Sequence, residues 1–389
     1  MSPPRASSVE SSGAARRSKQ ETWQAWAETE AKAIDEAGQW RSVRDFDARG
    51  PVGRLGPEGR EVVSFASNDY LGLTTHRAVI AAAREALERW GTGAGAARLI
   101  VGSRPIHSEL ERKLAAWKRT DDAILLPTGF AANLAVLSTF GDAGSVVCSD
   151  RLNHASIIDG CRLARARTAV YPHRDVDALE SLVSAAERAI VVSETVFSMD
   201  GDVAPVVELV ELCERHRALL VLDEAHAVLG PDPDLAGRDA LRVGTLSKAL
   251  GALGGYAAGP RPLIELLRNR ARSFIFTTAT PPAVAAAALR ALEIVGSTEG
   301  EDLRARLRDR IEQVRPGNAS PIIPITLGDE ERAMAVSAAL LERGFLVPAI
   351  RPPTVPPGTS RLRMTLSAAH TEAQVASLVE SLREIGILD

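Results

Sequence analysis

Short apolar runs alternate with amphipathic segments through the middle of the chain. The runs are four or five residues long and mostly β-branched or leucine-rich, so they predict strands. Strands that alternate with helices favour a mostly parallel sheet covered on both faces, and the fold class is α/β. The predicted strands are 123–126, 145–148, 168–171, 189–192, 219–222, 241–245 and 255–258, with helices at 130–140, 154–165, 175–187 and 205–217.

The pattern differs on both sides of this region. Residues 21–39 carry apolar side chains at helical spacing, and the glycines and prolines of 50–59 predict turns before a short strand at 62–66. After residue 295, helices at 302–314, 330–343 and 371–385 alternate with strands and favour a smaller α+β lobe. We expect a flexible tail at 1–20, an N-terminal helix and arm at 21–69, a large domain at 70–294 and a small domain at 295–389.

Composition narrows the class of protein. The 389 residues are 45% hydrophobic and 25% charged, which is typical of a soluble globular protein, and the net charge of −4 argues against nucleic acid as the main partner. No apolar run is long enough to span a membrane or to form a secretory signal. The three cysteines have no paired spacing, so we expect no metal site, a reducing compartment and a cytoplasmic location.

Lysine is scarce, and one lysine stands alone. Only five of the 46 basic residues are lysines, and Lys248 is the single one after residue 118. Arginine stays protonated, so Lys248 is the only candidate for amine chemistry in that stretch. It follows a predicted strand among small and apolar residues, where lost solvation would make its amine a nucleophile. The alternative is an ordinary surface lysine.

Other polar groups follow the predicted strands. Ligands of open parallel sheets bind at the carboxyl ends of the strands. Residues 127–130 open a helix whose N–H groups suit a phosphate, His154 could stack on a planar ring, and Asp223 leaves an apolar strand and needs a cationic partner. The loop 193–202 adds hydroxyls and carboxylates. Taken singly, each group could also be a turn or a helix cap.

Together these groups match the needs of pyridoxal 5′-phosphate (PLP). That cofactor needs a phosphate anchor, a stacking face, an acid for the pyridine nitrogen and a Schiff-base lysine. A helicase-type interpretation of Asp223-Glu224-Ala225-His226 fails, because the chain contains no G-x-x-x-x-G-K-[ST] phosphate loop.

The chain resembles the α-oxoamine synthases, which are PLP-dependent enzymes of the aspartate aminotransferase-like fold, fold type I. The likeness runs from about residue 21 to 389, and the segment RPPTVP at 351–356 with RLR at 361–363 resembles the biotin-pathway branch. One departure is the short segment 227–234, where the family usually carries a glycine-rich loop. The other matching stretches include SNDYLGL (67–73), PTGFAANLAVL (127–137), SETVFSMDGD (193–202), LDEAH (222–226), GTLSKALG (244–251) and FTTATPP (276–282).

The resemblance implies roles at the cofactor. Lys248 binds PLP covalently and later moves the Cα proton, Asp223 pairs with the pyridine nitrogen, and His154 stacks on the ring and faces the substrate. Two further groups are implied: His226 and Ser198 on the phenolate side, and Gly129, Phe130 and Thr245 at the phosphate.

The resemblance also implies substrate contacts and an assembly. Arg41 and Thr354 are implied to bind substrate, with Asn68, Arg351 and Arg361 as further carboxylate binders. Thr277 and Thr278 are implied to reach the phosphate of the neighbouring subunit, in a homodimer with shared active sites.

The implied activity is a decarboxylative C-acyl transfer in biotin biosynthesis. L-Alanine would condense with a pimeloyl thioester, carried on coenzyme A or acyl carrier protein, to give 8-amino-7-oxononanoate, CO2 and the free thiol carrier. The alternatives are another α-oxoamine synthase such as glycine C-acetyltransferase, a different PLP reaction such as transamination, and a non-catalytic partner subunit. Such a subunit tends to lose the lysine that this chain keeps.

Overall fold

The computed structural model describes residues 22–388 and divides into two units. The larger unit is built around a seven-stranded sheet. The units are Met1–Asp45 and Phe46–Asp389. In the first, helix α1 (Trp23–Glu36) confirms the helix predicted at 21–39, and the Thr22 hydroxyl caps it by accepting from the Ala25 N–H at 3.2 Å. The tail predicted at 1–20 lies outside the described residues.

The second unit begins with a small antiparallel meander. Its strands are β1 (Phe46–Ala48), β2 (Val52–Leu55) and β3 (Arg60–Ser64). The prediction of turns throughout 50–59 was wrong over β2, because Gly53, Arg54 and Leu55 pair with residues on both neighbouring strands. Only the end of that stretch is a turn. Two helices follow, α2 (Arg77–Trp90) and α3 (Pro105–Lys118).

All seven predicted strands of the main sheet are present. Five of them run parallel in the order β9-β8-β7-β5-β6, while β10 lies antiparallel between β4 and β9. The strands are β4 (Asp122–Leu126), β5 (Val146–Asp150), β6 (Arg167–Tyr171), β7 (Ala189–Glu194), β8 (Leu219–Asp223), β9 (Ala240–Thr245) and β10 (Gly255–Gly259). The four predicted connecting helices are α4 (Gly129–Phe140), α5 (Ala155–Leu163), α6 (Val176–Ser184) and α7 (Val206–His216).

Helices on both faces bury the sheet, as near-continuous apolar strands require. β8, with the sequence LLVLD, buries its last four residues. Three helices after the sheet were not predicted from the sequence: α8 (Arg261–Arg270), α9 (Arg272–Ile275) and α10 (Pro282–Val295). α10 is alanine-rich and buries ten of its fourteen residues, so it lacks the one-sided apolar pattern that marks a surface helix.

The C-terminal part combines three helices with a small antiparallel sheet, as the sequence predicts. The sheet has the order β11-β14-β13, and β12 joins the N-terminal meander by pairing parallel with β3. The domain boundaries expected at 69/70 and 294/295 stay predictions. The elements are α11 (Thr298–Val314), β11 (Ile322–Gly328), α12 (Glu330–Glu342), β12 (Phe345–Leu346), β13 (Ala349–Ile350), β14 (Ser360–Thr365) and α13 (Glu372–Glu384).

Within residues 22–388, every helix is too short or too polar to traverse a lipid bilayer.

Candidate active site

The amine of Lys248 sits just beyond the carboxyl end of β9, in the connection to β10. Its Nζ lies 2.7 Å from Nε2 of His226. Burial penalises the ammonium form and lowers the pKa of Lys248 to about 8, although the carboxyl groups of Asp223 and Glu194 oppose that shift. Lys248 is half-buried and hydrogen-bonded to His226, which argues against the surface-lysine alternative.

A buried chain of hydrogen bonds begins at His226. Its Nδ1 lies 2.5 Å from the Tyr70 hydroxyl, which donates to Oδ1 of Asn68 at 3.2 Å. Nη2 of Arg363 donates to the same Asn68 oxygen at 3.2 Å. Burial, followed by the charges of Lys248 and Arg363, holds the pKa of His226 well below its usual range. A neutral His226 can thus accept from Lys248 at Nε2 and donate to Tyr70 at Nδ1.

Asp223 ends β8 as a buried carboxylate with two donors. Oδ1 accepts from the Ala225 N–H at 2.9 Å, and Oδ2 accepts from Nδ2 of Asn133 at 2.7 Å. Asn133 also donates to Oγ of Ser156 at 2.9 Å, which lies 2.8 Å from Nδ1 of His154. These bonds connect the carboxylate to the imidazole across the end of the sheet.

His154 is exposed at the mouth of the site and caps α5. Its Nδ1 accepts from the Ser156 N–H at 3.2 Å. Desolvation lowers the pKa of His154, and the Asp223 carboxylate opposes that change. The edge of Phe130 approaches the ring, with centroids 6.4 Å apart.

Glu194 is a buried carboxyl that the sequence analysis did not single out. It ends β7 and lies in register beside Asp223 on β8. Oε2 accepts from the Ser198 N–H at 3.1 Å, while Oε1 is buried without a partner among the described residues. Burial, together with the Asp223 charge, raises the pKa of Glu194 to about 8. The only signal in the sequence was its place at a strand end, because the cross-strand neighbour is set by the fold.

The N-terminus of α4 offers two free donors. The Thr128 hydroxyl accepts from the Ala131 N–H at 3.0 Å, and the Thr128 carbonyl accepts from the Ala132 N–H. The N–H groups of Gly129 and Phe130, in the first turn of the helix, have no acceptor among the described residues.

Thr245 lies against this helix start. A Cβ placed on Gly129 would lie 3.1 Å from the Thr245 Cβ, so a larger residue there would press on the Thr245 side chain. The Thr245 hydroxyl lies 2.7 Å from Oγ of Ser247. This corner presents hydroxyls and backbone donors at the positive end of a helix, which suits a phosphate.

The residues present fit PLP. Lys248 offers a desolvated amine for the aldehyde, Asp223 a buried carboxylate for the pyridine nitrogen, and the corner at Gly129 donors for the phosphate. A carboxyl oxygen of Glu194 and Oδ1 of Asn133 are buried beside this space and have no hydrogen-bond partner among residues 22–388. Orphaned buried polar atoms of this kind are expected where a polar ligand binds.

Comparison with known proteins agrees with this geometry. The model of the class I and II aminotransferases matches residues 60–382. The chain is 48% identical over 384 residues to 8-amino-7-oxononanoate synthase of Anaeromyxobacter dehalogenans, covering 92% of this chain and 95% of the relative. It is 46% identical over 379 residues to the Geobacter sulfurreducens synthase, covering 92% and 97%.

The chain belongs to the 8-amino-7-oxononanoate synthase family. A solved structure of SPT with PLP is also similar, with a TM-score of 0.86 and 30% identity over 93% of this chain and 98% of that one. These findings confirm the expected fold class, the PLP cofactor and the acyltransferase class of enzyme.

The loop after His226 departs from the family pattern that the sequence analysis describes, and the structure ties it down. Asp232 forms ion pairs with Arg242 at 2.6 Å and with Arg119 at 2.8 Å. Arg242 is fully buried in β9 and also pairs with Glu224 at 3.2 Å. These ion pairs therefore hold the loop against β9, the strand that precedes Lys248.

Two arginines connect the C-terminal sheet to the loop after β7. Nε of Arg363 donates to the Ser198 carbonyl at 2.6 Å, and Arg361 pairs with Asp200. Ser198 is buried beside Glu194, and its backbone N–H and carbonyl take part in these hydrogen bonds.

Hydrogen bonds and ion pairs among the described residues of the second unit do not join Thr354, Thr277 or Thr278 to Lys248. Thr354 is exposed, and its N–H donates to the Arg351 carbonyl at 3.1 Å. Arg41 belongs to the first unit. Thr278 is exposed and pairs through its backbone with Ala97. The roles of Thr354, Arg41, Thr277 and Thr278 stay predictions.

Proposed function

We propose that this chain condenses L-alanine with a pimeloyl thioester and releases 8-amino-7-oxononanoate, CO2 and the free thiol carrier. The observation that carries the proposal is the desolvated Lys248 amine, set 2.7 Å from His226 and within electrostatic reach of Asp223. The high identity to curated synthases over nearly the whole chain supports this substrate pair.

Lys248 is proposed to move the proton at the substrate Cα. When bound, the cofactor supplies an aromatic ring that accepts the electron pair left at Cα. An amine with a pKa of about 8 is partly unprotonated near neutral pH, so it can both take up and return a proton. His226 fixes the amine by accepting a hydrogen bond.

Asp223 is proposed to hold the proton on the pyridine nitrogen. The donors at Asn133 and Ala225 orient its carboxylate. The link from Asn133 through Ser156 also fixes His154 at the mouth, where it would cover the ring and exclude water.

The substrate carboxylate has several proposed partners. Arg363 donates to Asn68 at the end of the hydrogen-bonded chain opposite Lys248, and its charge acts on the Lys248 amine. Arg361 already pairs with Asp200, so a substrate carboxylate at Arg361 would compete with that contact. Arg41, Arg351 and Thr354 are retained as proposals from the family resemblance.

A homodimer is part of the proposal. Leu99, Ile100 and Val101 are exposed side by side in the π-helix Arg98–Gly102, and Phe276 is 70% exposed beside Thr277. Apolar groups that expose this much surface support a covering partner. A second copy of the chain would bring Thr277 and Thr278 to a neighbouring site. A cytoplasmic location is retained as a prediction.

The test is product formation. Purified protein with PLP should be yellow and should convert L-alanine and pimeloyl-coenzyme A or pimeloyl-acyl carrier protein into 8-amino-7-oxononanoate, identified by mass. L-Alanine should perturb the cofactor absorbance more than glycine or L-serine does. A preference for glycine with acetyl-coenzyme A would replace this proposal with glycine C-acetyltransferase activity. A colourless protein would contradict it altogether.

A further inference from the structure

His173 occupies a joint between two carboxylates outside the cofactor site. Its Nδ1 lies 3.0 Å from Oδ1 of Asp150, and its Nε2 lies 2.8 Å from Oδ2 of Asp202. The imidazole is 17% exposed and the Asp150 side chain is 1% exposed. Phe197 packs edge-on against the ring, with centroids 4.4 Å apart. Only a doubly protonated imidazole can donate to both carboxylates at once.

The Asp150 side of the joint shapes the segment that carries His154. Asp150 ends β5, and its Oδ1 also accepts from the Leu152 N–H at 2.8 Å. The next residue, Asn153, donates through Nδ2 to the Val192 carbonyl at 2.9 Å and accepts at Oδ1 from the Glu194 N–H at 3.0 Å. The turn that presents His154 is thereby held to β7.

On the other side of the imidazole, Asp202 forms a hydrogen bond that closes the loop following β7. The Phe197 N–H donates to the Asp202 carbonyl at 3.0 Å. Between those two residues lie Ser198, whose carbonyl accepts from Arg363, and Asp200, which pairs with Arg361. The position of both arginines therefore depends on how this loop is held.

Among the described residues, Arg174 and Tyr171 also lie close to the two carboxylates. The neighbouring Arg174 donates its backbone N–H to Oδ2 of Asp150 at 2.9 Å and pairs with Asp202 at 3.3 Å. Tyr171 on β6 is buried near Asp150, and burial with the Asp150 charge raises its pKa. Burial opposes a charge on His173, but the bonds to Asp150 and Asp202 outweigh it and raise the pKa of His173 to about 9.

We propose that His173 is a positioning residue that locks the His154 turn and the 197–202 loop into one arrangement. It touches neither cofactor nor substrate and acts through Asp150 and Asp202. The inference rests on the proposed function for its kinetic readout, while its structural basis is independent of the substrate.

The test compares His173→Gln with His216→Gln in the holoenzyme. His216 makes a similar contact, 3.0 Å from Glu180, between two helices of the same unit, so it is a matched control. We expect kcat/KM for L-alanine to fall about 10- to 100-fold in His173→Gln, because small misplacements of binding groups cost that much. The change of cofactor absorbance on adding L-alanine should weaken in parallel, while His216→Gln stays within about twofold of wild type.

Two further variants keep the result interpretable. His173→Arg can donate to both carboxylates and should recover part of the loss. If His173→Gln does not fold, Asp202→Asn carries the test and should show the same loss of kcat/KM and the same weakened absorbance change. Thermal unfolding of every variant separates this effect from general destabilisation.

The outcomes distinguish the two proposals. If His173→Gln matches His216→Gln in kcat/KM and in absorbance, the positioning role is overturned. If the loss in His173→Gln or Asp202→Asn only follows the fall in unfolding temperature, or if His173→Arg recovers nothing, the role is overturned as well. If wild type forms no product, the proposed function fails, and the absorbance difference between the two histidine variants still decides the role of His173.

Discussion

Nζ of Lys248 lies 2.7 Å from Nε2 of His226, and the other ring nitrogen of His226 lies 2.5 Å from the Tyr70 hydroxyl. The amine therefore stands at the end of a buried hydrogen-bonded chain rather than in open solvent. Because Tyr70 continues to Asn68 and Arg363, the chain connects the end of β9 with β14. A proton on Lys248 is thus held by a neutral acceptor whose orientation is fixed from behind.

Replacing the amine should abolish both colour and turnover. In Lys248→Ala the nucleophile is gone, and we expect the visible absorbance band of the purified protein to disappear and kcat to fall by at least about 10³-fold. Lys113 is exposed on α3, so Lys113→Ala serves as the control and should keep both. A coloured Lys248→Ala protein with the wild-type spectrum would show that another group carries the cofactor.

Glu194 should make the cofactor-free chain sensitive to pH. Its folded pKa of about 8 lies above the ordinary value of 4.5, so the folded chain holds this proton more tightly than the unfolded chain. The stability it contributes is therefore complete below about pH 4.5 and is lost as the pH rises towards 8.

In Glu194→Gln the side chain is neutral at every pH. The unfolding temperature of Glu194→Gln should accordingly exceed that of wild type by a margin that grows between pH 5 and 8, measured by thermal unfolding without added cofactor. A margin that is constant across this range would mean that Glu194 titrates normally in the folded chain.

The buried ion cluster behind the site should be important for stability. Glu224 pairs with Lys118 at 2.7 Å and with Arg242 at 3.2 Å, and its side chain is 1% exposed. Removing one partner of a buried pair costs about 3–5 kcal/mol, so Glu224→Gln should lower the free energy of unfolding by that order.

An exposed ion pair on α1 provides the matched control for this buried cluster. Glu36 lies 3.5 Å from Lys32 in α1, with both side chains largely in solvent. Glu36→Gln should change the free energy of unfolding by less than about 1 kcal/mol. Urea unfolding of both variants measures the difference, and equal effects would contradict the role assigned to the buried cluster.

We expect that replacing Gly255 on β10 by alanine disturbs the start of α4. A Cβ on Gly255 would lie 2.2 Å from the Thr128 carbonyl oxygen and 2.6 Å from the Gly129 nitrogen, both of which are backbone atoms. Overpacking of this kind costs about 1–3 kcal/mol and would displace the donors proposed for the phosphate. Gly255→Ala should lose both stability and affinity for PLP.

Gly93 provides the control, because a Cβ there would meet no atom within 4 Å. Gly93→Ala should stay within about 0.5 kcal/mol of wild type. Urea unfolding and titration with PLP check both variants. A Gly255→Ala chain that binds PLP as well as Gly93→Ala would argue against the helix start as the phosphate anchor.

Local patterns in the sequence were sufficient to predict the main sheet. Each of its strands is a short apolar run, and the groups at Lys248, Asp223 and Gly129 follow directly from where those runs end. Helix α10 was missed because its alanine-rich sequence lacks the one-sided apolar stripe on which a helix prediction depends.

Contacts between distant segments were beyond the reach of local patterns. Tyr70 meets His226 across 156 positions of the chain, and Arg363 reaches Asn68 across 295. Glu194 was overlooked for the same reason, since both its burial and its place beside Asp223, which raise its pKa, are set by the fold. Sequence separation hides such pairs, and only the folded register reveals them.

Lys248 is the single lysine after residue 118, and this has a practical consequence. A lysine-specific endoproteinase acting on the denatured chain would cut residues 119–389 once, giving 119–248 and 249–389. All three cysteines lie in 119–248, so no disulfide could join the two pieces. A group fixed to that amine by borohydride reduction would block the cut and leave one joined fragment. The ratio of joined to separate fragments would then report, on an ordinary gel, the fraction of molecules that carry a modified amine.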